Sequence, residues 1–276
     1  MDATNERGET VPTAIAGEHA LTLYLDKREL VTLMTLGAAP ENLAIGYLRN
    51  QRIVRSPDEL AAVQVDWDVD AVAITSTMLE QSGMSIWEHR DHQDELERKM
   101  GKRTVTTGCG QGTVFGDLMD EIDSITLPSN ASLSEEVLYE VMDRVRRHES
   151  IYKVAGAVHG CALCSNHGAH RGEILNFVED VGRHNAVDAI AGWMWLEGVD
   201  GGDKIFYTTG RLTSEMVIKC AQMGIPFLLS RSGLTHMGHQ IATKIGMTMI
   251  GRCQGKHYLL FSGSERFRQL GQPAVA

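Results

Sequence analysis

The sequence predicts an α/β fold, in which a smaller N-terminal α+β part precedes a larger three-layer α/β domain. Two observations predict this organisation. Beyond Lys102, short apolar segments alternate with segments of helical periodicity, and such alternation is typical of a mostly parallel sheet with helices on both faces. Before Lys102, apolar and polar residues alternate over several short stretches, as they do in half-buried strands.

The N-terminal part follows residues 1–18, which are polar, show no apolar period and predict a flexible arm. Within residues 19–100, apolar residues that alternate on both sides of the turn DKRE predict a β-hairpin. Pro40 suits the first turn of a helix that continues through Leu48. The alternating stretch VQVDWDV predicts a further half-buried strand.

Residues 101–276 are predicted to form the larger domain. Ser132 and Glu135 form a candidate capping box before an amphipathic helix. After this helix, apolar stretches that predict strands alternate with stretches that predict helices. The predicted strands are GEILNFVED, Ile205–Tyr207, PFLLS, MTMIG and HYLLF, and the predicted helices cover His184–Leu196, a stretch from about Thr213, and the residues after His236.

Composition narrows the class of protein. The net charge of −10 and the pI near 5.5 argue against a nucleic-acid-binding protein. The chain opens without a basic and apolar leader, and no apolar run approaches the roughly 20 residues of a membrane span. Five cysteines are too few for a disulfide scaffold. We therefore expect a cytoplasmic protein with reduced thiols and no membrane partner.

The most conspicuous motif is VHGCALCSNH, in which Cys161 and Cys164 stand at C-x-x-C spacing between His159 and His167. Three hypotheses account for it. The pair supplies part of a tetrahedral zinc site, it forms a redox or sulfur-relay pair, or its thiols pack as small apolar groups in a buried segment. The local sequence leaves all three open.

A second candidate cysteine lies among glycines, in the stretch TTGCGQG. Gly108, Gly110 and Gly112 permit a backbone that presents the thiol of Cys109 to solvent. Backbone amides that converge on a thiol lower its pKa and so favour the reactive thiolate. The alternative is a flexible linker between the two parts of the chain, in which this cysteine is incidental.

Polar residues follow three predicted strands, at the point where each strand ends. Arg183 and His184 follow the first strand, Arg211 the second, and Ser230 with Arg231 the third. Strand ends of α/β folds bind ligands, and helix N-termini with a nearby arginine favour anions. The three turns together predict a pocket for a phosphate-bearing ligand. For the first turn, the alternative to a ligand-binding role is a structural one, in which its polar residues cap the following helix and form salt bridges in its first turn.

The segments EDVGRHNAVDAIAG, TGRLTSEMVIKCAQMGIPFLLSRSGLT and TGCG together resemble the formate dehydrogenase accessory sulfurtransferase family, FdhD, from about Leu21 to the C-terminus. The resemblance implies a cytidine-deaminase-like domain that lacks the deaminase zinc site, so no bound metal is expected. It places the family's essential cysteine at Cys109. It also implies a cofactor-contacting loop before the last strand, formed by Arg252, Cys253, Gln254, Gly255, Lys256 and His257.

Members of this family are sulfur carriers, and the resemblance implies a sulfurtransferase-type carrier with a cysteine persulfide intermediate. A cysteine desulfurase is expected to load sulfur onto Cys109. The sulfur is then expected to pass to the molybdenum cofactor, a bis(molybdopterin guanine dinucleotide), before that cofactor enters formate dehydrogenase. The molybdenum cofactor is expected to bind as a client, and no permanent cofactor is expected. The resemblance to the family also implies a homodimer. Many relatives have a second loop cysteine where this chain has Gly112, so a relay through Cys161 or Cys164 stays open.

Overall fold

The computed structural model describes residues 1–78, 104–105, 112–113 and 122–270. Strands and α-helices alternate between residues 174 and 254, which confirms the predicted α/β class. The strands are β1 (Asp2–Thr4), β2 (Thr10–Pro12), β3 (His19–Leu25), β4 (Arg28–Thr35), β5 (Leu60–Asp66), β6 (Ala71–Ser76), β7 (Thr104–Val105), β8 (Gly112–Thr113), β9 (Leu133–Ser134), β10 (His159–Ser165), β11 (Ile174–Asp180), β12 (Lys204–Thr208), β13 (Phe227–Ser230), β14 (Thr248–Gln254), β15 (His257–Ser262) and β16 (Phe267–Arg268). The α-helices are α1 (Pro40–Asn50), α2 (Glu135–Arg147), α3 (Ile151–Ala155), α4 (Arg183–Leu196), α5 (Ser214–Gln222) and α6 (His236–Lys244).

The N-terminal part contains a four-stranded sheet in the order β4-β3-β6-β5, and α1 packs against it. The predicted hairpin is confirmed as β3–β4. Its two-residue turn, Asp26-Lys27, has positive φ at both positions, which matches the right-handed twist of the strands. The predicted third strand ends at Asp66, and β6 follows it as a separate strand. Residues 1–18, predicted as a flexible arm, contain the exposed hairpin β1–β2.

The larger domain is built on a six-stranded sheet in the order β11-β10-β12-β13-β14-β15. Only the β12–β13 and β13–β14 pairs are parallel, so the prediction of a mostly parallel sheet is wrong. The reason lies in the connections. A short loop joins β10 to β11 and a two-residue turn joins β14 to β15, and links this short can only join antiparallel neighbours.

Helices cover both faces of the six-stranded sheet, as the three-layer prediction requires. Helices α4, α5 and α6 bury apolar residues against one face, and α2 does so against the other. Helix α2 begins after Ser134, whose Oγ accepts a hydrogen bond from the backbone N–H of Val137 at 3.3 Å. The cap predicted at Ser132 is therefore wrong by two residues. The finer description of this domain as cytidine-deaminase-like stays a prediction.

The two parts of the chain share one hydrophobic core, because α1 packs directly on α4. Gly46 and Gly192 lie where the helices cross. A Cβ atom built on Gly46 would lie only 1.7 Å from the carbonyl oxygen of Asp188, so glycine is required for this approach. The predicted boundary between residues 100 and 101 lies outside the described residues. None of the helices in the described ranges is both long and apolar enough to cross a bilayer.

Candidate functional site

The C-terminal ends of four strands meet at one edge of the six-stranded sheet, here called the C-terminal edge. Strands β12, β13 and β14 are parallel, and β11 runs in the same direction because β10 lies antiparallel between β11 and β12. The four strands end at Asp180, Thr208, Ser230 and Gln254. The three polar turns therefore lie at a common edge, as the sequence predicted.

A cavity of about 290 Å³ opens at the C-terminal edge, on the face that α2 covers. Three cationic side chains and one carboxylate line it: Arg146 from α2, Lys153 from α3, Arg231 from the turn after β13, and Glu179 from β11. The rings of Tyr152 and Phe177 also face it. Cations next to aromatic surface suit a ligand that combines phosphate groups with a planar ring.

Arg231 connects two walls of this cavity. Its guanidinium carbon lies 6.0 Å from the centroid of the Tyr152 ring, which is within cation–π range. Its backbone N–H donates to the carbonyl oxygen of Thr208 at 3.0 Å, so the turn after β13 is tied to the end of β12. This hydrogen bond fixes the backbone of Arg231. The residue is exposed, so its guanidinium is accessible to a ligand.

Ser230, a predicted site residue, builds this turn from the inside. It is fully buried, its Oγ donates to the carbonyl oxygen of Gly210 at 2.6 Å, and the same Oγ accepts from the N–H of Ser232 at 2.8 Å. Ser230 thus joins the turns after β12 and β13. A direct contact between Ser230 and a ligand stays a prediction.

The β14–β15 loop, predicted to contact a cofactor, borders the same cavity. Three of its six predicted residues line the cavity, namely Cys253, Gln254 and Gly255. The other three are exposed and lie outside the lining, namely Arg252, Lys256 and His257. The loop is held in place because the Arg252 N–H donates to the carbonyl oxygen of Ser232 at 2.9 Å. Cofactor contacts of this loop stay a prediction.

Arg183 and His184 lie at the same edge but on the opposite face, which α4 and α5 cover. Both are buried, and Nε2 of His184 lies 3.3 Å from the Glu215 carboxylate. Burial, reinforced by the charges of Lys219 and Arg183, lowers the pKa of His184 to about 2. The imidazole is therefore neutral, and its Nε2–H can donate to Glu215.

His159 and Arg211 complete this opposite side. His159 begins β10, and burial lowers its pKa, with smaller contributions from Arg183 and Arg211. Arg211 is exposed in the turn after β12. The structure therefore brings the predicted residues to one edge and divides them between its two faces. Arg231 lies at the cavity, and Arg183 and Arg211 lie behind it.

The residues of the cavity wall that the sequence did not predict include Arg146, Tyr152 and Lys153. Arg146 lies on α2, and the other two lie on α3, so none of them follows a strand. One local signal was available for α3. Ser150 caps it, because its Oγ accepts from the N–H of Lys153 at 3.4 Å.

Comparison with known proteins places this geometry in a family. A model of the FdhD/NarQ family matches residues 16–268. The chain belongs to the FdhD/NarQ family. Among FdhD/NarQ proteins, it is 27% identical over 267 residues to the sulfur carrier protein FdhD of Bacillus subtilis, covering 96% of this chain and 95% of that one. It is 26% identical over 260 residues to the protein of the same name from Listeria monocytogenes serotype 4b, covering 94% and 93%.

The fold of this FdhD/NarQ chain is also similar to a crystal structure from Desulfotalea psychrophila, of a protein described as a formate dehydrogenase accessory protein. The TM-score is 0.72 at 22% identity, over 97% of this chain and 96% of that one. This likeness extends across both parts of the chain and supports the packing of the N-terminal part on the larger domain.

In this FdhD/NarQ chain the conspicuous C-x-x-C pair is structural. Cys161 and Cys164 lie in β10, three positions apart, so their side chains point to opposite faces of the sheet. Both are fully buried, and burial raises the pKa of each thiol to about 12. The packing hypothesis is confirmed, and a zinc site or redox pair formed by these two thiols is wrong. Nowhere in the described ranges are three or more His, Cys, Asp or Glu side chains grouped to hold a metal ion.

Proposed function

We propose that this chain is a sulfur carrier for formate dehydrogenase maturation. In this proposal a cysteine desulfurase supplies persulfide sulfur to Cys109. The sulfur then passes to the molybdenum cofactor, a bis(molybdopterin guanine dinucleotide), before the cofactor enters formate dehydrogenase. Membership of the FdhD/NarQ family and the names of the similar proteins support this function.

The observation that carries the proposal is the cation-lined cavity at the C-terminal edge. Arg146, Lys153 and Arg231 offer charge to a pyrophosphate, and Tyr152 offers an exposed ring face to a base. A cavity of about 290 Å³ lies at the lower end of the size range for small-molecule sites. The cavity therefore suits one guanine nucleotide end of the bis(molybdopterin guanine dinucleotide) cofactor, and the rest of the cofactor would lie outside the cavity.

The burial of the described thiols supports Cys109 as the sulfur-bearing residue. The chain has five cysteines, and Cys109 is the one that lies outside the described residues. The other four are all buried, and burial raises the pKa of each thiol: Cys161, Cys164, Cys220 and Cys253. Since the thiolate is the nucleophile, these four are poor candidates for persulfide exchange.

The loading step is a thiol–disulfide type of exchange. The Cys109 thiolate attacks the terminal sulfur of the desulfurase persulfide, a new S–S bond forms on Cys109, and the desulfurase thiolate leaves. No oxidant is consumed, because the sulfane sulfur only changes its carrier.

Intact-protein mass spectrometry tests the proposal. The protein is incubated with a cysteine desulfurase and cysteine, and Cys109→Ala, Cys161→Ala and Cys164→Ala are compared with the wild type. We expect a gain of one sulfur that disappears in Cys109→Ala alone. The proposal is wrong if no variant or wild-type sample gains sulfur. A gain that survives in Cys109→Ala and vanishes with Cys161 or Cys164 would move the chemistry to the buried pair.

A further inference from the structure

The short helix α3 forms part of the cavity wall although none of its five residues is buried. Apolar packing therefore contributes little to its position. The helix is followed by Gly156 and Ala157, which have φ of +64° and +57°. Two successive residues with positive φ make a sharp bend between α3 and β10. Another group must determine where α3 lies.

Glu179, near the end of β11, contacts the N-terminus of α3. Its carboxylate accepts hydrogen bonds from the backbone N–H of Ile151 at 2.5 Å and of Tyr152 at 3.1 Å. These are the first N–H groups of α3, which have no partner within the helix. A carboxylate at this end is also favoured by the helix dipole. Glu179 itself is only 8% exposed, so its position is fixed by the sheet.

We propose that Glu179 is a positioning residue, which holds α3 at the C-terminal edge and so sets Tyr152 and Lys153 in the wall of the cavity. The proposal rests on the proposed function in one respect: the ligand expected to bind against Tyr152 and Lys153 is the phosphate-bearing molybdenum cofactor. The two cavity-facing side chains of α3 make other contacts: Nζ of Lys153 donates to the carbonyl oxygen of His148 at 2.6 Å, within the same segment, and the Tyr152 ring lies 6.0 Å from the Arg231 guanidinium carbon. Glu179 is the residue that bonds the backbone of α3 to the sheet.

Two independent readouts test the role of Glu179. Amide hydrogen exchange measures how firmly residues 151–156 are held, and calorimetric titration with GDP measures the affinity of the cavity for a guanine nucleotide. We expect Glu179→Ala to accelerate exchange in α3 by at least about tenfold and to weaken GDP binding by a similar factor. Glu173→Gln is the control, because this exposed carboxylate pairs with Arg144 and His170 away from α3.

A second pair of variants leaves Glu179 in place. Ile151→Pro removes one of the two N–H groups that Glu179 binds, and proline is tolerated at the first position of a helix. Ile151→Ala removes the same exposed side chain and keeps the N–H. We expect Ile151→Pro to behave like Glu179→Ala and Ile151→Ala to behave like the wild type. This pair keeps the test decisive if Glu179→Ala fails to fold. Because Glu179 itself lines the cavity, the pair also separates the loss of α3 positioning from the direct loss of a carboxylate beside the ligand.

The outcomes separate this inference from the proposed function. Unchanged α3 exchange in Glu179→Ala and Ile151→Pro would overturn the role of Glu179. Faster exchange with unchanged GDP affinity would also overturn it, because α3 would then not set the cavity wall. If the wild-type protein does not bind GDP, the cavity loses its place in the proposed function. The exchange data alone would then decide whether Glu179 holds α3.

Discussion

Gly46 of α1 and Gly192 of α4 meet at the crossing of these helices, so closely that a Cβ on either residue would lie within 3 Å of the other's backbone nitrogen. No side chain fits between the two backbones. The crossing joins the four-stranded sheet of the N-terminal part to the larger domain through one continuous core. The stability of the whole chain therefore depends on these two glycines.

We expect Gly46→Ala to lower the free energy of unfolding by about 2 kcal/mol or more, because overpacking forces the helices apart. Urea-induced unfolding monitored by circular dichroism measures this loss. Gly233→Ala is the matched control, since nothing lies within 4 Å of a Cβ built there, and its cost should stay below about 0.5 kcal/mol. Equal stability of the two variants would contradict the close crossing.

The neutral His184 makes stability depend on pH. Its pKa is lowered from 6.5 to about 2 in the folded protein, so between these values the unfolded chain binds more protons than the folded one. Stability is then fully present above pH 6.5 and is lost as the pH falls below it, by up to about 1.4 kcal/mol per pH unit. His184→Gln should reduce this slope in urea titrations between about pH 5 and 7. Identical slopes for the two proteins would show that His184 accepts a proton without unfolding.

The burial of four thiols predicts a simple labelling pattern. In native Cys109→Ala protein at neutral pH, we expect no rapid reaction with a thiol reagent, because the pKa values of the remaining thiols are raised and their sulfurs are buried. Four thiols should react once the protein is unfolded in guanidinium chloride. Rapid labelling of Cys161 or Cys164 in the native state would contradict their place in the core.

Arg231 should be the cavity residue that contributes most to binding a phosphate-bearing ligand. It contacts the Tyr152 ring, and its guanidinium can pair with two phosphate oxygens at once. We expect Arg231→Ala to weaken GDP binding about tenfold, with Arg231→Lys recovering part of the loss. Arg171→Ala is the control, since Arg171 pairs with Glu136 and Glu140 at the other edge of the sheet. Equal losses in both variants would indicate a general effect of net charge.

Local pattern was sufficient to predict most elements of the larger domain but not how its strands pair. Residues 160–164 of β10, GCALC, carry no polar side chain other than the thiols, and both faces of this stretch are buried. An uninterrupted apolar run carries no information about the direction of its neighbours. The direction is fixed by which strand lies beside it, and β10 inserts antiparallel between β11 and β12. The two cysteines of this strand have the spacing of a metal or redox motif, but a strand places residues three positions apart on opposite faces of the sheet.

The local sequence pattern was also insufficient to predict how the site residues are arranged. Residues at strand ends could be assigned to one edge, because the edge follows from strand order. The face on which each side chain lies depends on the pleat and on the helices above it, so Arg231 and Arg183 were predicted together and lie on opposite faces. Helix α3 was not predicted, since five exposed residues show no periodicity. Tyr152 and Lys153 were missed for this reason.

The crossing of Gly46 and Gly192 also has a consequence during synthesis. The four-stranded sheet and α1 leave the ribosome early, but α4, the helix that covers α1, begins only about two thirds of the way along the chain. Until α4 emerges, the apolar side of α1 is exposed, and closing so long a loop makes folding slow. The nascent chain is therefore most prone to aggregation before α4 has left the ribosome, and it is at this stage that a chaperone would help most.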